Sequence, residues 1–384
     1  MTVDIIQQIK DVHSREAAER PLARLASDIP SSYDAITTEW LTAILCKGIP
    51  EAKVTGFTLG AVDDGTSNRR HVRIEYNSAG KAAGLPPSIF CKAAQGLANR
   101  LILSNGGTLS EVTFYNLIRD KLNIDAPRAL HAAYDRESLA SIIVLNDLST
   151  EVEFCSERTV VTKEMAQSQL SLLGKLHGTF YQSPRFEDDL SEVLTWQGRF
   201  RSLIARHSME ETCRNGFAAA EAVIPPRLFA KADQVWDATL KSIDRHDELP
   251  ATLNHGDVHL KNWYIRQRPD MGLSDWQALN RGHWSRDLAY VVATSLSTED
   301  RRNWEQELIR FYLDCQLAAG APPVSFDTAW TNYRQQLFGA LAFWTQTMAP
   351  TKNMPEMQPK ETTLPFIRRL AHAIDDLDSL SAFE

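Results

Sequence analysis

Residues 254–276 read NHGDVHLKNWYIRQRPDMGLSDW, and this stretch decides the fold of the chain. Its Pro-Asp-Met-Gly turn, with apolar residues on both sides, predicts a short β-hairpin. The hairpin would bring Asn262, which precedes its first strand, close to Asp275, which follows its second. Asp257 lies on the loop just before the hairpin. The stretch therefore predicts a compact group of two carboxylates and one amide.

Phosphoryl transfer needs such a group. One carboxylate orients the attacking hydroxyl and accepts its proton, while a second carboxylate and an amide oxygen suit the coordination of Mg²⁺. The Asp-x₄-Asn spacing from Asp257 to Asn262 is that of the kinase catalytic loop, and Asp275 follows at the place of the second metal-binding aspartate. The pattern therefore indicates transfer of a phosphoryl group.

The residues before this stretch are rich in predicted strands. Alternating apolar side chains predict a half-buried strand over residues 71–76. Short apolar runs predict further strands at residues 54–59, 89–93 and 141–145. Apolar residues at helical spacing predict a helix over residues 34–46, with Asp34 as its cap.

After residue 148 the pattern is mostly helical. The main predicted helices span residues 162–181, 188–207, 226–243, 298–319 and 326–348. Residues 251–276 interrupt them as a non-helical island. A small β-rich part followed by a larger helical part predicts an α+β fold with two unequal lobes and a cleft between them.

Composition and charge exclude several classes of protein. Lys and Arg total 41 and Asp and Glu total 49, which gives a net charge of −8 over 384 residues. This excess of acid argues against a protein that binds nucleic acid or an anionic membrane surface. No apolar run would span a membrane and no secretory signal is evident, so we expect a cytoplasmic protein. Almost all of the acid excess falls in residues 151–384, which would suit a cationic ligand but equally suits a solvated surface.

The chain resembles a known family. HGDVHLKN followed by LSDWQALNRGHWSRDLAY is similar to the catalytic loop and metal-binding segment of the aminoglycoside phosphotransferase and choline kinase group of small-molecule kinases. The resemblance is strongest to the ecdysteroid-kinase-like branch and its bacterial relatives. Further pieces follow the family's order: TTEWLTAIL (37–45), GTSNRRHVRIEY (65–76), EVTFYNL (111–117), IIVLNDL (142–148) and LGKLHGTFY (173–181). The resemblance implies a bilobal protein-kinase-like fold with a small β-rich N-lobe and a larger, mainly helical C-lobe.

The resemblance implies a role for each residue of the central group. Asp257 would be the catalytic base, and Asn262 and Asp275 would hold magnesium. The alternative is a capped polar loop without chemistry. His255 would brace the loop, and Asp287 would bond its backbone from the start of a helix.

The resemblance also implies a lysine that binds the nucleotide. Lys92, in the strand IFCKAA, would pair with the α- and β-phosphates, although a lone strand lysine is usually exposed to solvent. Glu111 would hold this lysine in an ion pair. Residues 108–111 (TLSE) also match a capping box, in which Glu111 would instead bond the backbone of Thr108. We prefer the ion pair.

A loop over the phosphates would come from residues 65–68 (GTSN). Backbone N–H groups and small hydroxyls can hold anions, so Ser67 and Asn68 are candidate nucleotide contacts. No GxGxxG or P-loop motif occurs here, and a plain hairpin turn fits the segment about as well.

The hinge that meets the nucleotide base would come from residues 144–148, with Leu145, Asn146 and Leu148 as candidate contacts. The family commonly has an acidic residue where this chain has Asn146. The choice between ATP and GTP therefore stays open.

Three parts of the chain are expected. Residues 1–50 would form a helical extension packed on the N-lobe, residues 51–148 the nucleotide-binding N-lobe ending in the hinge, and residues 149–384 the helical C-lobe with the catalytic loop and acceptor pocket. ATP and Mg²⁺ would be the cofactors, and the γ-phosphate would pass to a hydroxyl of a small molecule. The sequence names neither that acceptor nor an oligomeric state.

Two other functions are kept open. A non-catalytic nucleotide- or ligand-binding protein would have the same fold. His255 and His259 stand four apart, as in zinc-binding HExxH helices, and would suit a zinc hydrolase. However, the segment does not read as a helix, and no third ligand is spaced nearby. The five cysteines contain no CxxC pair and indicate neither a disulfide framework nor a cysteine zinc site.

Overall fold

A computed structural model describes residues 5–350 and 358–384. They form two compact units. The first comprises the described residues up to Lys121 with Pro127–Glu151, and the second comprises Leu122–Ala126 with the described residues from Val152 onward. Residues 1–4 of the predicted extension and residues 351–357 of the predicted C-lobe lie outside the described residues. The predicted α+β class is confirmed, since one unit is built on an antiparallel sheet and the other is mainly helical.

A six-stranded antiparallel sheet forms the centre of the first unit. Its strands are β1 Val54–Leu59, β2 Asp63–Asp64, β3 Asn68–Tyr76, β4 Ser88–Ala94, β5 Ala129–Tyr134 and β6 Ser141–Asn146. They follow the order β1-β3-β4-β6-β5, and β2 pairs with β3. Because β4 is central, Lys92 lies opposite Arg69 on one side and Ile143 on the other.

Helices flank this sheet. They are α1 Ile5–Glu19, α2 Thr38–Leu45, α3 Ser78–Ala82, α4 Leu97–Leu103 and α5 Gly107–Thr113, and α5 continues into a π turn and a 3₁₀ turn up to Lys121. The predicted Asp34 cap is wrong. Asp34 lies in a short 3₁₀ turn, and the hydroxyl of Thr37 caps α2 by accepting the Trp40 backbone N–H at 3.1 Å. Trp40 is fully buried in the core beneath the sheet.

The second unit carries most of the helices and two small groups of strands. Its helices are α6 Lys163–Thr179, α7 Trp196–His207, α8 Met209–Ala219, α9 Pro226–Phe229, α10 Ala232–Glu248, α11 Ser285–Ser295, α12 Thr298–Ala318, α13 Phe326–Met348 and α14 Lys360–Asp376. Its strands are β7 Glu153–Phe154, β8 Thr252–Asn254, β9 Trp263–Gln267, β10 Asp270–Leu273 and β11 Asn280–Gly282. Strands β10, β9 and β7 form one small sheet, and β11 pairs with β8. No helix within the described ranges is both long and apolar enough to cross a membrane.

Two further predicted helices differ from the structure. The helix predicted over residues 188–207 begins only at Trp196, because Thr195 caps it by accepting the Gly198 N–H at 3.1 Å. The helix predicted over residues 226–243 is two helices, α9 and α10. Helix α11 was not among the main predicted helices, although Asp287 was expected at the start of a helix. All 11 of its residues are buried, so no solvent-exposed face marks its length in the sequence.

Helix α11 is the centre of the second unit. It packs against α6, α12, α13 and α14. Its first turn faces the segment that carries Asp257, since Asp287 bonds the backbone of Gly256. The buried helix therefore gives that segment a rigid base.

Acid is expected to destabilise the second unit through His246, a buried histidine of α10. Its Nδ1 accepts the His283 N–H at 2.9 Å and its Nε2 lies 2.8 Å from the Gln336 side-chain oxygen, so the neutral ring is satisfied on both nitrogens. Burial lowers the pKa of His246 from 6.5 to about 4. Between pH 6.5 and about 4 the unfolded chain takes up a proton that the folded chain does not. The free energy of unfolding therefore decreases as the pH is lowered. The shift is worth at most about 3 kcal/mol.

Urea unfolding at pH 7 and pH 5 would measure this loss. The His246→Gln variant should lose less stability than the wild type over this interval, because it has no proton to take up at this position. His13→Gln, on the surface helix α1, should keep the wild-type dependence. Equal pH dependence in the wild type and His246→Gln would contradict the prediction.

Candidate active site

The hairpin predicted from the sequence is confirmed. Strands β9 and β10 pair antiparallel, with Trp263 opposite Leu273. Just beyond them, the backbone N–H and the hydroxyl of Ser274 both donate to the carbonyl oxygen of Asn262, at 2.8 Å and 2.9 Å. These two bonds hold the segment that carries Asp275 against the segment that carries Asn262.

Gly256 allows the loop before the hairpin to turn sharply. Its φ is +84°, and a Cβ here would lie 2.5 Å from the carbonyl oxygen of Ala278 and 2.4 Å from the side-chain nitrogen of Asn280. A residue with a side chain would be strained by the backbone angle and would also collide with this neighbouring segment. Glycine is therefore required directly before Asp257.

Asp287 holds the backbone of this loop from the first turn of α11. The side chain is fully buried, and its two oxygens accept the backbone N–H groups of His255 at 2.7 Å and Gly256 at 3.0 Å. One of these oxygens also lies 3.4 Å from Nε2 of His177. Burial would raise the pKa of Asp287, but His177 and the nearby positive charges outweigh it and keep the pKa below its usual range. The predicted bond from Asp287 to the loop backbone is confirmed.

His255 braces the loop, as its position suggested. Its Nε2 lies 2.9 Å from the carbonyl oxygen of Ser274, and its Nδ1 accepts the Asp257 N–H at 3.2 Å. Both ring nitrogens therefore serve the backbone, which does not suit a zinc ligand. Across residues 5–350 and 358–384, no group of three or more His, Cys, Asp or Glu side chains is placed to hold a metal ion. This geometry does not support the zinc alternative that His255 and His259 had left open.

The Asp257 carboxylate is held by neighbours on both oxygens. The hydroxyl of Tyr290 donates to Oδ1 at 3.2 Å, and Oδ2 lies 3.4 Å from the Asn262 side-chain nitrogen and 3.5 Å from Nε2 of His259. The side chain is nevertheless 32% exposed. A carboxylate that is fixed in orientation and still reachable suits a group that must receive a hydroxyl.

The surroundings of Asp257 favour its charged form. Burial alone would raise the pKa of Asp257, but His259, His255 and Arg286 outweigh this effect and hold the pKa well below its usual range. The carboxylate is therefore ionised at neutral pH and available as a hydrogen-bond acceptor.

Asn262 and Asp275 are the residues predicted to hold Mg²⁺. The Asn262 side-chain nitrogen donates to the carbonyl oxygen of Asp257 at 2.7 Å, so the amide oxygen, the atom that binds cations, faces away from that bond. Asp275 has left-handed backbone angles (φ 61°, ψ 68°), which are uncommon for a residue other than glycine. An amide oxygen and a carboxylate are the hard ligands that Mg²⁺ prefers, so the residues present fit this metal. Their role as ligands stays a prediction.

In the first unit, Lys92 and Glu111 form a buried ion pair. Nζ of Lys92 lies 2.8 Å from Oε2 of Glu111, and both side chains are less than 10% exposed. Within the described part of the chain, the buried hydroxyl of Thr108 has no hydrogen-bond partner, and Gly106 stands at the start of α5 without a side-chain cap. Glu111 is thus in the ion pair and not in the capping box, because a buried lysine needs a partner charge. Contact of either residue with a nucleotide stays a prediction.

The GTSN segment forms a tight hairpin turn between β2 and β3. Ser67 is buried, and Asn68 lies opposite Asp64 in the ladder. The side-chain oxygen of Asn68 accepts the backbone N–H groups of Gln95 at 3.0 Å and Gly96 at 3.2 Å. This amide therefore braces the turn, and a role for Ser67 and Asn68 over phosphates stays a prediction.

The predicted hinge lies at the end of β6. Leu145 and Asn146 are the last two residues of this strand, and Leu148 is buried just beyond it. The backbone N–H of Asn146 donates to the carbonyl oxygen of Arg128 at 3.2 Å. That donor already has a protein partner, and recognition of a base by these three residues stays a prediction.

Sequence reasoning missed three neighbours of Asp257. Tyr290 could have been found from the sequence, because it lies three residues after Asp287 and so on the same face of a helix. No sequence pattern indicated Arg286 or Arg199. Arg286 donates to the carbonyl oxygen of Gly256 at 3.0 Å, and Arg199 reaches the same region from α7, far away in the sequence.

Comparisons with known proteins give the chain a family. Residues 113–318 match the Ecdysteroid kinase-like family. No curated protein is significantly similar to the chain in sequence.

Among solved structures, the chain is similar to an amicoumacin kinase in complex with AMP-PNP, Ca²⁺ and Ami, with a TM-score of 0.50 and 12% identity over 83% of this chain and 88% of that one. It is also similar to choline kinase from Cryptosporidium parvum Iowa II, with a TM-score of 0.48 and 10% identity over 90% of this chain and 95% of that one. At 12% identity, the likeness to the amicoumacin kinase shows the fold alone.

The predicted kinase-like fold is confirmed by the likeness to the amicoumacin kinase and by the antiparallel sheet in one unit and the helices in the other. The family match covers more than half of the chain, including Asp257, Asn262 and Asp275. The resemblance predicted from these motifs is confirmed as well, and the chain belongs to the ecdysteroid kinase-like family.

Proposed function

We propose that this protein transfers the γ-phosphate of ATP to a hydroxyl group of a small molecule. The observation that carries the proposal is the group of Asp257, Asn262 and Asp275, gathered by one loop and one hairpin. A fixed, partly exposed and ionised carboxylate beside an amide and a second carboxylate is the set that phosphoryl transfer needs. Membership of a kinase-like family supports the same function.

Asp257 would receive the hydroxyl of the acceptor. As the hydroxyl oxygen forms its bond to the γ-phosphorus, the bond from that phosphorus to the oxygen of ADP breaks, and the hydroxyl proton passes to the carboxylate. Tyr290 and His259 would keep the carboxylate in place during this step. A carboxylate with a lowered pKa is a weak base, so we expect orientation of the hydroxyl to contribute more than proton removal.

Asn262 and Asp275 would hold Mg²⁺, which would offset the negative charge on the phosphate oxygens. The hydrogen bonds from Ser274 to Asn262 would keep the Asn262 and Asp275 side chains in place, because they join the two backbone segments that carry these residues.

The nucleotide would be ATP, with GTP as the open alternative. Lys92, oriented by Glu111, would pair with its α- and β-phosphates. The remaining proposed contacts are Ser67 and Asn68 with the phosphates, and Leu145, Asn146 and Leu148 with the base. We accordingly propose residues 51–148 as the nucleotide-binding lobe, residues 1–50 as its extension, and residues 149–384 as the lobe with the acceptor pocket.

Replacing Lys92 by methionine is expected to weaken ATP binding about ten- to a hundredfold, because a charge-assisted bond to phosphate is lost. Titration of the protein with a fluorescent ATP analogue would measure the change. Lys81→Met, on an exposed lysine of α3, should bind the analogue like the wild type. Unchanged affinity in a folded Lys92→Met variant would contradict the proposed contact.

A direct assay tests the proposed function. The purified chain would be incubated with ATP, Mg²⁺ and a panel of hydroxyl compounds, and phosphorylated products would be identified by mass spectrometry. We expect at least one phosphorylated acceptor, formed together with ADP and lost when EDTA removes the metal. Mg²⁺-dependent binding of ATP without any phosphorylated acceptor would instead favour a non-catalytic binding protein.

A further inference from the structure

The side chain of Asn99, in the first turn of α4, is bound to the GTSN turn, residues 65–68. Its nitrogen donates one hydrogen bond to the carbonyl oxygen of Gly65 at 2.9 Å and another to that of Thr66 at 3.0 Å. An asparagine NH₂ group has two hydrogens, so both are used on successive carbonyl groups. The side chain is buried. Asn99 therefore fixes the orientation of two consecutive peptide groups of the turn.

The other two carbonyl groups of the GTSN turn are also bound by the protein. The carbonyl oxygen of Ser67 accepts the Gly65 N–H at 3.0 Å. The carbonyl oxygen of Asn68 accepts the hydroxyl of Tyr33, a buried residue, at 2.9 Å. Every carbonyl oxygen of the turn thus has a donor from the protein, and the turn is held in one conformation.

The backbone N–H groups of Thr66 and Ser67 point away from Asn99. They belong to the two peptides whose carbonyl oxygens Asn99 binds, and both peptides are trans. In a planar trans peptide the C=O and N–H bonds point in opposite directions. Within residues 5–350 and 358–384, neither N–H group has a hydrogen-bond partner. Two successive N–H groups directed to the same side of a turn suit an anion.

The GTSN turn lies beside Lys92 in the sheet. Asn68 is paired with Ala93 in the ladder between β3 and β4, so the last residue of the turn is one position along from Lys92. Neighbouring strands are about 4.8 Å apart and rise about 3.3 Å per residue, which puts the backbones of Asn68 and Lys92 roughly 6 Å from each other. The turn and the proposed phosphate-binding lysine therefore share one end of the sheet.

The two acids that directly precede the turn are each paired with an arginine. Asp63 lies 3.0 Å from Arg69, and Asp64 lies 3.4 Å from Arg70. Each pair is neutral as a whole, so these acids do not leave a net negative charge at the start of the turn that would repel a phosphate.

We propose that Asn99 is a positioning residue for the nucleotide. By binding the carbonyl oxygens of Gly65 and Thr66, it directs the N–H groups of Thr66 and Ser67 towards the phosphates of ATP. This inference rests on the proposed function and names the residue that shapes its phosphate-binding turn. The chain has no GxGxxG motif here, and a side chain from α4 fixes the turn instead.

A comparison of a phosphorylated and an unphosphorylated ligand tests the inference. Asn99→Leu keeps the approximate size of the side chain and removes both donors. We expect it to weaken binding of a fluorescent ATP analogue about tenfold, because hydrogen bonds from N–H groups to charged phosphates are lost. Adenosine has no phosphate, so its affinity, measured by displacement of the same analogue, should stay at the wild-type value.

Two further variants serve as controls. Asn116 is an exposed asparagine whose nitrogen donates to one backbone carbonyl oxygen, that of Ala132, at 3.2 Å. Asn116→Leu should bind both ligands like the wild type. Asn99→Gln keeps both donors on a side chain that is one methylene longer, and it should retain more affinity for the ATP analogue than Asn99→Leu. Urea unfolding of each variant shows that the protein under test is folded.

The outcomes separate this inference from the proposed function. If Asn99→Leu binds the ATP analogue like the wild type, or loses as much affinity for adenosine as for the analogue, the inference is wrong even when transfer is observed. In the transfer assay Asn99→Leu should raise KM for ATP and change kcat little, and a lower kcat with an unchanged KM would also overturn the inference. If affinity is lost for the analogue alone but no acceptor is phosphorylated by the wild type, the inference stands and the proposed transfer fails.

Discussion

Replacing Asp257 by asparagine is expected to lower the rate of phosphate transfer by about a thousandfold or more. Asparagine has nearly the same shape, so Tyr290 and the loop backbone should stay in place. It carries no charge, cannot accept the hydroxyl proton, and presents an NH₂ group where the acceptor hydroxyl needs a hydrogen-bond acceptor. The rate of ADP and phosphorylated acceptor formation at saturating ATP measures the effect.

A matched control is available on the same hairpin. Asp270 is an exposed aspartate of β10, and Asp270→Asn should transfer phosphate at about the wild-type rate. Affinity for an ATP analogue should change little in either variant. A folded Asp257→Asn protein that keeps more than a tenth of the wild-type rate would exclude Asp257 as the residue that receives the acceptor.

Replacing Asp287 by alanine is expected to lower the free energy of unfolding by about 4 kcal/mol. The change leaves the buried N–H groups of His255 and Gly256 without an acceptor and removes the carboxylate beside His177. Each unsatisfied buried donor costs about 1–3 kcal/mol. Urea unfolding followed by fluorescence measures the loss, and transfer should fall as well because the loop under Asp257 loses its support.

Two further variants test whether the lost hydrogen bonds to the loop backbone explain this loss of stability. Asp287→Asn keeps one acceptor oxygen but turns an NH₂ group towards the loop, so we expect a loss between zero and that of alanine. Glu299 is an exposed acid in the first turn of α12, and Glu299→Gln should change stability by about 0.5 kcal/mol or less. If Asp287→Ala and Glu299→Gln cost the same, Asp287 is only a favourable charge at a helix start.

The charge of a lobe and the charge of a site are different quantities. Most of the acid excess lies in residues 151–384, yet His259, His255 and Arg286 hold the pKa of Asp257 below its usual range. Acidic side chains on the surface are screened by water and salt, whereas buried charges act over short distances with little screening. Composition therefore argued against some classes of partner but did not describe the field at the candidate site.

The sequence by itself determined the parts of the site that are close together along the chain. The Asp-x₄-Asn spacing, the turn before Gly272 and the Asp275 that follows are local features, and a hairpin can join them in only a few ways. The same holds for Lys92 on its strand and for the order of strands before helices. Short-range hydrogen bonding and side-chain alternation depend on neighbouring residues, so the sequence pattern is enough to predict them.

Only the tertiary structure decided which distant residues complete these parts. It paired Glu111 with Lys92 instead of Thr108, because a buried ammonium group is more costly to leave alone than a hydroxyl. It brought Arg199 from α7 to Gln277. The extent of helix α11 was missed, since a helix buried on all sides has no solvent-exposed face. These outcomes depend on which side chains are buried next to one another in the folded protein, and the distance between two residues along the sequence does not show this.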